Sequence, residues 1–181
     1  MPVLQEEHIK GLSPIIFAFE GHPTKTRETH LFEGEKHNQE FLSFIYDGKD
    51  NNLPKQFHEG LRVTAAELAE HKIDKGNSYR QKCFLWVIDN SSIKILWEMT
   101  SNVKRGEHVI DKPFVCHTNI TGEKGQAYIG GEMYFCSDGK IYINFRSDRF
   151  GTVATKEKKQ MAIKYMNDCK FINIINTEDN L

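Results

Sequence analysis

The run Ile129-Gly130-Gly131-Glu132-Met133-Tyr134-Phe135-Cys136-Ser137-Asp138-Gly139-Lys140-Ile141-Tyr142-Ile143-Asn144-Phe145-Arg146 decides the fold. Two segments with apolar residues at alternate positions flank Ser137-Asp138-Gly139, the pattern of half-buried strands joined by a turn. Register settles the loop length. A two-residue turn at Asp138-Gly139 would set Ile141 against Cys136 and Ile143 against Tyr134, mixing apolar and polar groups on both faces. A three-residue loop with Gly139 in the left-handed region, a G1-bulge hairpin, shifts the partner strand by one. Ile141 then faces Phe135, Ile143 faces Met133 and Phe145 faces Gly131. One face, with Ile129 added, is uniformly apolar, and the other carries Tyr128, Glu132, Tyr134, Tyr142, Asn144 and Arg146. Because a one-residue slip inverts every side chain, the clean segregation selects the second register.

Upstream of the hairpin, Cys83–Ile88 and Ile93–Glu98 read as two strands around the turn residues Asp89-Asn90-Ser91-Ser92. A charged loop at residues 102–112 precedes a third strand expected at Phe114–Asn119. Downstream, Thr155 is placed to cap a helix carrying Met161, Ala162, Tyr165, Met166 and Cys169 on one side. Phe171–Ile175 can supply a last strand. The first 80 residues are mixed: a strand at Ile15–Phe19, a short helix at 38–45, a polar loop at 47–54, and a helix opened by Thr64-Ala65-Ala66-Glu67, which has capping-box spacing. Strands joined by short turns with helices at both flanks predict an α+β domain built on an antiparallel sheet. Nothing near residue 80 is rich in Pro, Gly or Ser, so a single domain over 1–181 is expected.

Composition bounds the function classes. The chain has 181 residues, 24 Lys and Arg against 25 Asp and Glu, and a formal net charge of -1. Twelve Phe, six Tyr and two Trp within a hydrophobic fraction of 39% suffice for a core and exclude a disordered chain. A surface basic all over is excluded too, yet the charge is unevenly spread. Between Lys140 and Lys164 only Asp148 and Glu157 oppose Lys140, Arg146, Arg149, Lys156, Lys158, Lys159 and Lys164. The longest apolar run, Ile15–Phe19, is far short of the roughly 20 residues of a membrane helix, so no membrane partner is expected. The four cysteines, Cys83, Cys116, Cys136 and Cys169, form no close pair, which disfavours a Cys-based metal site. Without a secretory signal they read as buried thiols of a cytoplasmic protein, although export without a cleaved signal would look the same.

The polar face of the hairpin is the candidate site. Glu132 stands opposite Asn144 and diagonal to Arg146, within cross-strand reach. Gly130-Gly131 beside it marks a bulge or a close approach of ligand or backbone. On the expected third strand His117 and Asn119 share a face. If that strand neighbours the hairpin, His117, Glu132, Asn144, Arg146 and Arg149 meet on one aromatic-lined surface. His and Glu exchange protons near neutral pH, and Arg offers a planar fork for phosphate or carboxylate. The tyrosines can stack a base or a nicotinamide. No metal ligand set or cofactor motif is visible, and none of HExxH, GxGxxG, GxSxG or a Walker loop occurs. The plain structural alternative is an exposed Glu132–Arg146 ion pair with a hydrogen-bonded His117.

The run from Trp86 through Cys116-His117-Thr118-Asn119, Gly131-Glu132, Asp138-Gly139 and Ser147-Asp148-Arg149-Phe150 resembles a domain of plant IQ-motif calmodulin-binding proteins and related microbial proteins. The family pattern is a strand, His-Ser-Ser, a glycine followed by Glu or Arg, then Ser-Gly-His-Tyr and a helix. The resemblance spans about residues 84–168 and places His117, Glu132 and Ser147 at the marked positions. Arg149 and Phe150 stand where the pattern has His and Tyr, and no calmodulin-binding helix accompanies it.

Together these readings predict a small metal-independent enzyme acting on a nucleotide, an NAD-like molecule or an RNA phosphate. His117 and Glu132 would handle protons with Ser147 beside them. Thr118, Asn119, Tyr134, Tyr142, Asn144, Arg146 and Arg149 would bind and orient the ligand. The competing expectations are a non-catalytic module that captures an anionic small molecule or a partner protein on the same surface, and a structural domain with no pocket.

Overall fold

The hairpin closes as the register argument requires. In the computed structural model, β7 (Ile129–Phe135) pairs with β8 (Ile141–Ile143) through Met133–Ile143, Tyr134–Tyr142 and Phe135–Ile141. Gly139 has φ 84°, its N–H donates to the Cys136 carbonyl at 3.0 Å, and Cys136 N–H donates to Lys140 O at 2.9 Å. That is the three-residue loop with a left-handed glycine. The structure describes residues 4–16, 62–71, 82–89, 92–98, 104–105, 108–109, 117, 120–121, 126–147, 150, 154–169, 171 and 173–178. The expected helix at 38–45 and loop at 47–54 lie outside these residues.

In chain order the elements are α1 (Glu6–Ile9), β1 (Ile15–Ile16), α2 (Ala65–His71), β2 (Phe84–Ile88), β3 (Ile93–Trp97), β4 (Lys104–Arg105), β5 (His108–Val109), β6 (Gln126–Ala127), β7, β8, α3 (Lys156–Asp168) and β9 (Ile174–Asn176). Five strands form the main sheet in the order β3-β2-β7-β8-β9. β1 with β6, and β4 with β5, make two-stranded ladders. The fold is α+β, and β7 lies at its centre. No helix among the described residues is long and apolar enough to cross a membrane.

Three features refine or depart from these expectations. First, the sheet is mixed, because β9 pairs parallel to β8 through Ile141–Ile174, Tyr142–Ile175 and Ile143–Asn176. A parallel neighbour needs a long crossover, and α3 between β8 and β9 provides it. Second, the neighbour of β7 is β2, through Phe84–Met133 to Ile88–Ile129, so no third strand lies between them. His117 stands instead in a tight helical turn, where Ile120 N–H donates to its carbonyl at 3.1 Å. Third, the stretch read as a charged loop holds the β4–β5 ladder, Lys104–Val109 and Arg105–His108.

Alternation sorts the sheet's side chains into two cores. On one side Phe84, Trp86, Ile88, Ile93, Ile95, Ile129, Met133, Phe135, Ile143 and Phe145 pack beneath Met161, Ala162, Tyr165, Met166 and Cys169 of α3. Thr155 caps this helix, its Oγ accepting Lys158 N–H at 3.2 Å. α1 docks on the far end of α3, where buried His8 meets the Asp168 carboxylate at 2.8 Å and the Tyr165 ring edge-on. Tyr128, expected on the opposite face, belongs to this first core.

The second side buries Cys83, Leu85, Val87, Tyr134 and Cys136 with Val63, Ile120, Ala127 and Phe150. α2 is anchored here by the predicted capping box: Glu67 N–H donates to Thr64 Oγ at 3.1 Å and Thr64 N–H to the Glu67 carboxylate at 2.7 Å. Just before it, Val63 bridges to Cys136 at the end of β7.

Candidate functional site

The polar residues of the hairpin are drawn into this second core. Three side chains there are nearly inaccessible: His117 at 6%, Asn144 at 4% and Tyr134 at 3% exposure, with Glu132 half-buried among them. The expected open, aromatic-lined surface is therefore a largely enclosed polar cluster on an apolar sheet face. Burial of such groups is tolerated only when their hydrogen bonds are met, and the cluster meets them locally.

Asn144 organises the cluster. The β7–β8 ladder ends at Met133–Ile143, and beyond it the Asn144 side chain substitutes for ladder bonds. Its Oδ1 accepts Glu132 N–H at 3.0 Å and Arg146 N–H at 2.9 Å, while its Nδ2 donates to the Glu132 carboxylate at 2.8 Å. Asn144 N–H in turn donates to the Glu132 carbonyl at 3.1 Å. The Tyr134 hydroxyl donates a longer bond, 3.4 Å, to the same Glu132 oxygen. Glu132 is thus held in one orientation by its cross-strand neighbour, as the register predicted. Arg146 continues the chain and is exposed, at the rim.

The two glycines explain how His117 reaches this face. A Cβ on Gly130 would stand 3.3 Å from His117 Cδ2, so the imidazole lies over Gly130. Gly130 and Glu132 project from the same face of β7, about 7 Å apart at two residues of strand rise. His117 Nε2 is 2.8 Å from the Gly131 carbonyl. A carbonyl oxygen can only accept, so Nε2 carries a proton, and in the neutral ring the basic lone pair is on Nδ1. Gly131 serves a different purpose. A Cβ there would overlap the Asn144 carbonyl oxygen and come within 2.8 Å of its carbon, so only glycine lets β8 approach so closely.

Two residues that sequence reasoning left out join the cluster. Cys83 lies opposite Tyr134 in the β2–β7 register, and Glu98 N–H donates to its carbonyl at 3.0 Å. Burial pushes the Cys83 thiol well up, and the Glu132 and Glu98 carboxylates push the same way. This thiol is neutral and inert at physiological pH. Period-two alternation through Lys94, Leu96 and Glu98 was the available signal for Glu98.

The remaining candidates fall elsewhere. Tyr142 shares the face but sits two pairs from Asn144 along the hairpin, near Asp138; burial and that carboxylate raise its hydroxyl above the usual tyrosine range. Ser147 is buried, and its Oγ accepts Phe150 N–H at 3.1 Å, which fixes the turn leaving β8. Thr118, Asn119 and Arg149 lie outside the described residues. Among the described residues no group of three or more His, Cys, Asp and Glu is arranged to hold a metal ion.

No protein-family model, curated protein or solved structure matches this chain. The site must be interpreted from its own chemistry. That chemistry is a histidine and a fixed carboxylate on one sheet face, with an exposed arginine at the rim.

Proposed function

We propose that the His117–Glu132 cluster is the reaction centre of an enzyme acting on a nucleotide, an NAD-like molecule or an RNA phosphate. One observation carries this reading. Gly130 gives up its side chain at the point where His117 crosses β7, which puts an imidazole on the same face as a hydrogen-bonded glutamate. Packing alone would favour a small apolar residue there, with no histidine above it.

In this reading the Glu132 carboxylate takes the proton of the attacking group, the imidazolium form of His117 gives its Nδ1 proton to the leaving group, and the proton left on Glu132 returns to His117 Nδ1 through solvent. Asn144 and Tyr134 position Glu132, while Arg146 with Arg149 meets the ligand's negative charge. Thr118 and Asn119 follow His117 in sequence and orient the ligand, Tyr142 borders the face, and Ser147 stands beside the reacting groups. The resemblance to the IQ-motif-associated domain singles out the same His117, Glu132 and Ser147 and forms part of the proposal. Buried free thiols at Cys83, Cys136 and Cys169 suit a reducing cytoplasm.

The test is mass spectrometry of nucleotide, NAD and short-RNA substrates incubated with the full chain. Turnover is expected with the wild type and lost in His117→Ala and Glu132→Gln, both still folded by circular dichroism. Full turnover in both variants would refute the assigned roles. Binding without turnover, sensitive only to Arg146→Ala or Arg149→Ala, would establish the capture module instead.

A further inference from the structure

We infer that the attacking group at the reaction centre proposed above, on which this step rests, is a ribose 2′-hydroxyl, so that the substrate is an RNA phosphodiester cut by internal transfer to a 2′,3′-cyclic phosphate. The Glu132 carboxylate carries the first observation. Asn144 Nδ2 at 2.8 Å and the Tyr134 hydroxyl at 3.4 Å both donate to its Oε2. Oε1 accepts no hydrogen bond from a described residue, and it is not closed off from solvent. One oxygen is therefore anchored, and the other is presented as a single open acceptor on a half-buried residue.

Such an acceptor suits one kind of nucleophile. A water needs two to four polar partners to be held in place, and here the nearest side-chain donors turn to Oε2 instead. A hydroxyl that belongs to the substrate is held by its own covalent frame and needs only the base. The imidazole supplies the other half. His117 lies over Gly130, on the same face as Glu132 and about 7 Å along β7 at two residues of strand rise. That spacing lets a base and an acid flank one phosphorus from two sides. An acid would stand idle with the other ligand classes. Nicotinamide departs neutral from its pyridinium and a diphosphate departs as a stable anion, whereas a ribose 5′-oxygen departs as an alkoxide and must be protonated. The Asn144 oxygen that accepts Glu132 N–H also accepts Arg146 N–H, which keeps the exposed arginine beside the carboxylate, in place for the phosphate oxygens. The step balances without water or a co-reactant. Glu132 Oε1 takes the 2′ proton, the 2′-oxygen bonds to phosphorus, the bond from phosphorus to the 5′-oxygen breaks, and that oxygen takes its proton from the His117 imidazolium.

The test is incubation of the full chain with a short single-stranded RNA of mixed sequence in heavy-oxygen water, sampled early and read by mass spectrometry. Fragments ending in a 2′,3′-cyclic phosphate and free of heavy oxygen are expected, each matched by a 5′-hydroxyl fragment. The same sequence carrying 2′-O-methyl groups throughout should stay uncut while competing with the parent RNA at an affinity within threefold. Glu132→Gln should slow cyclisation at least a hundredfold. If that variant fails to fold, the 2′-O-methyl comparison on the wild type decides. Heavy oxygen in the first fragments, cutting of the 2′-O-methyl RNA or of the matching DNA, or turnover confined to NAD or free nucleotides would overturn the 2′-hydroxyl assignment and leave the reaction centre standing. Absence of turnover on every substrate would overturn both.

Discussion

Gly131→Ala should be among the most damaging single substitutions in the sheet, and the geometry sets its size. The new Cβ would overlap the Asn144 carbonyl oxygen and lie 3.0 Å from Phe145 Cα. These are backbone atoms, so no rotamer change relieves the clash and β8 must move as a unit. Such overpacking costs about 1–3 kcal/mol. Moving β8 also breaks Asn144 N–H to Glu132 O and Glu132 N–H to Asn144 Oδ1. Each is worth about 1 kcal/mol net, and more where a buried donor is left without a partner. Alanine returns about 0.4–1 kcal/mol by stiffening the unfolded chain. The balance is a loss of about 3 kcal/mol, a large share of an ordinary domain stability of about 5–15 kcal/mol. Gly130→Ala is the internal control. Its Cβ would meet Trp86 O at 3.0 Å, Val87 Cγ1 at 3.2 Å and His117 Cδ2 at 3.3 Å. Two of those are side-chain atoms that can give by a few tenths of an ångström, so about 1 kcal/mol is expected. Urea unfolding followed by tryptophan fluorescence measures both, with the slope m unchanged. If Gly131→Ala proved no costlier than Gly130→Ala, the account of the β7–β8 approach would be wrong.

Asn144→Leu should cost about 3–4 kcal/mol in thermal unfolding, because two N–H groups and the Glu132 carboxylate lose their partner inside a closed cluster. Thr64→Ala should cost about 1 kcal/mol as a lost helix cap, measured by the same denaturation. The Thr64 N–H, with help from Lys82, holds the Glu67 carboxyl below its ordinary range. Its stabilising contribution is therefore complete above the unfolded glutamate pKa of about 4.3 and is lost as pH falls through the lower folded value. Glu67→Gln should flatten that acid limb in a stability curve taken from about pH 6 to pH 2. Cys83, held neutral by burial and two carboxylates, should resist iodoacetamide at pH 7.5 in the native protein and react once urea unfolds it. Rapid native alkylation, located by peptide mass spectrometry, would contradict its placement.

What could be read in the sequence follows the range of the interactions. The β7–β8 register was legible because a two-fold alternation and one left-handed glycine determine it within 18 residues. Both caps, at Thr64 and Thr155, were legible because a cap and its partner lie three residues apart. The parallel pairing of β9 was not, since it depends on how α3 returns the chain across the first core. His117 comes over β7 by a route that alternation does not encode. Alternation placed it on a strand, whereas it arrives from a helical turn and is fixed by Gly130 and the Gly131 carbonyl. Nothing local to residues 114–119 encodes that contact. Tyr128 was misplaced because it sits at a bend between β6 and β7, where alternation lapses.

The two faces of the sheet also bear on why a polar cluster exists at all. Under α3 the sheet is covered by aliphatic and aromatic residues, and that face shows what this chain does when packing alone is at stake. The opposite face is just as well covered around Val63, Leu85, Val87 and Phe150, yet it takes in Glu132, Asn144, His117 and the Tyr134 hydroxyl. Replacing a fully hydrogen-bonded buried polar group and its partners by apolar residues of similar shape is usually neutral or stabilising, so stability does not call for the cluster. Register does not call for it either, because the Gly139 loop and the Ile141–Phe135 and Ile143–Met133 pairs already set the hairpin. What the cluster uniquely supplies is a carboxylate of fixed orientation on the same face as an imidazole of fixed tautomer. Local rules of good packing are broken where another requirement overrides them, and the polar cluster on this face is such a place.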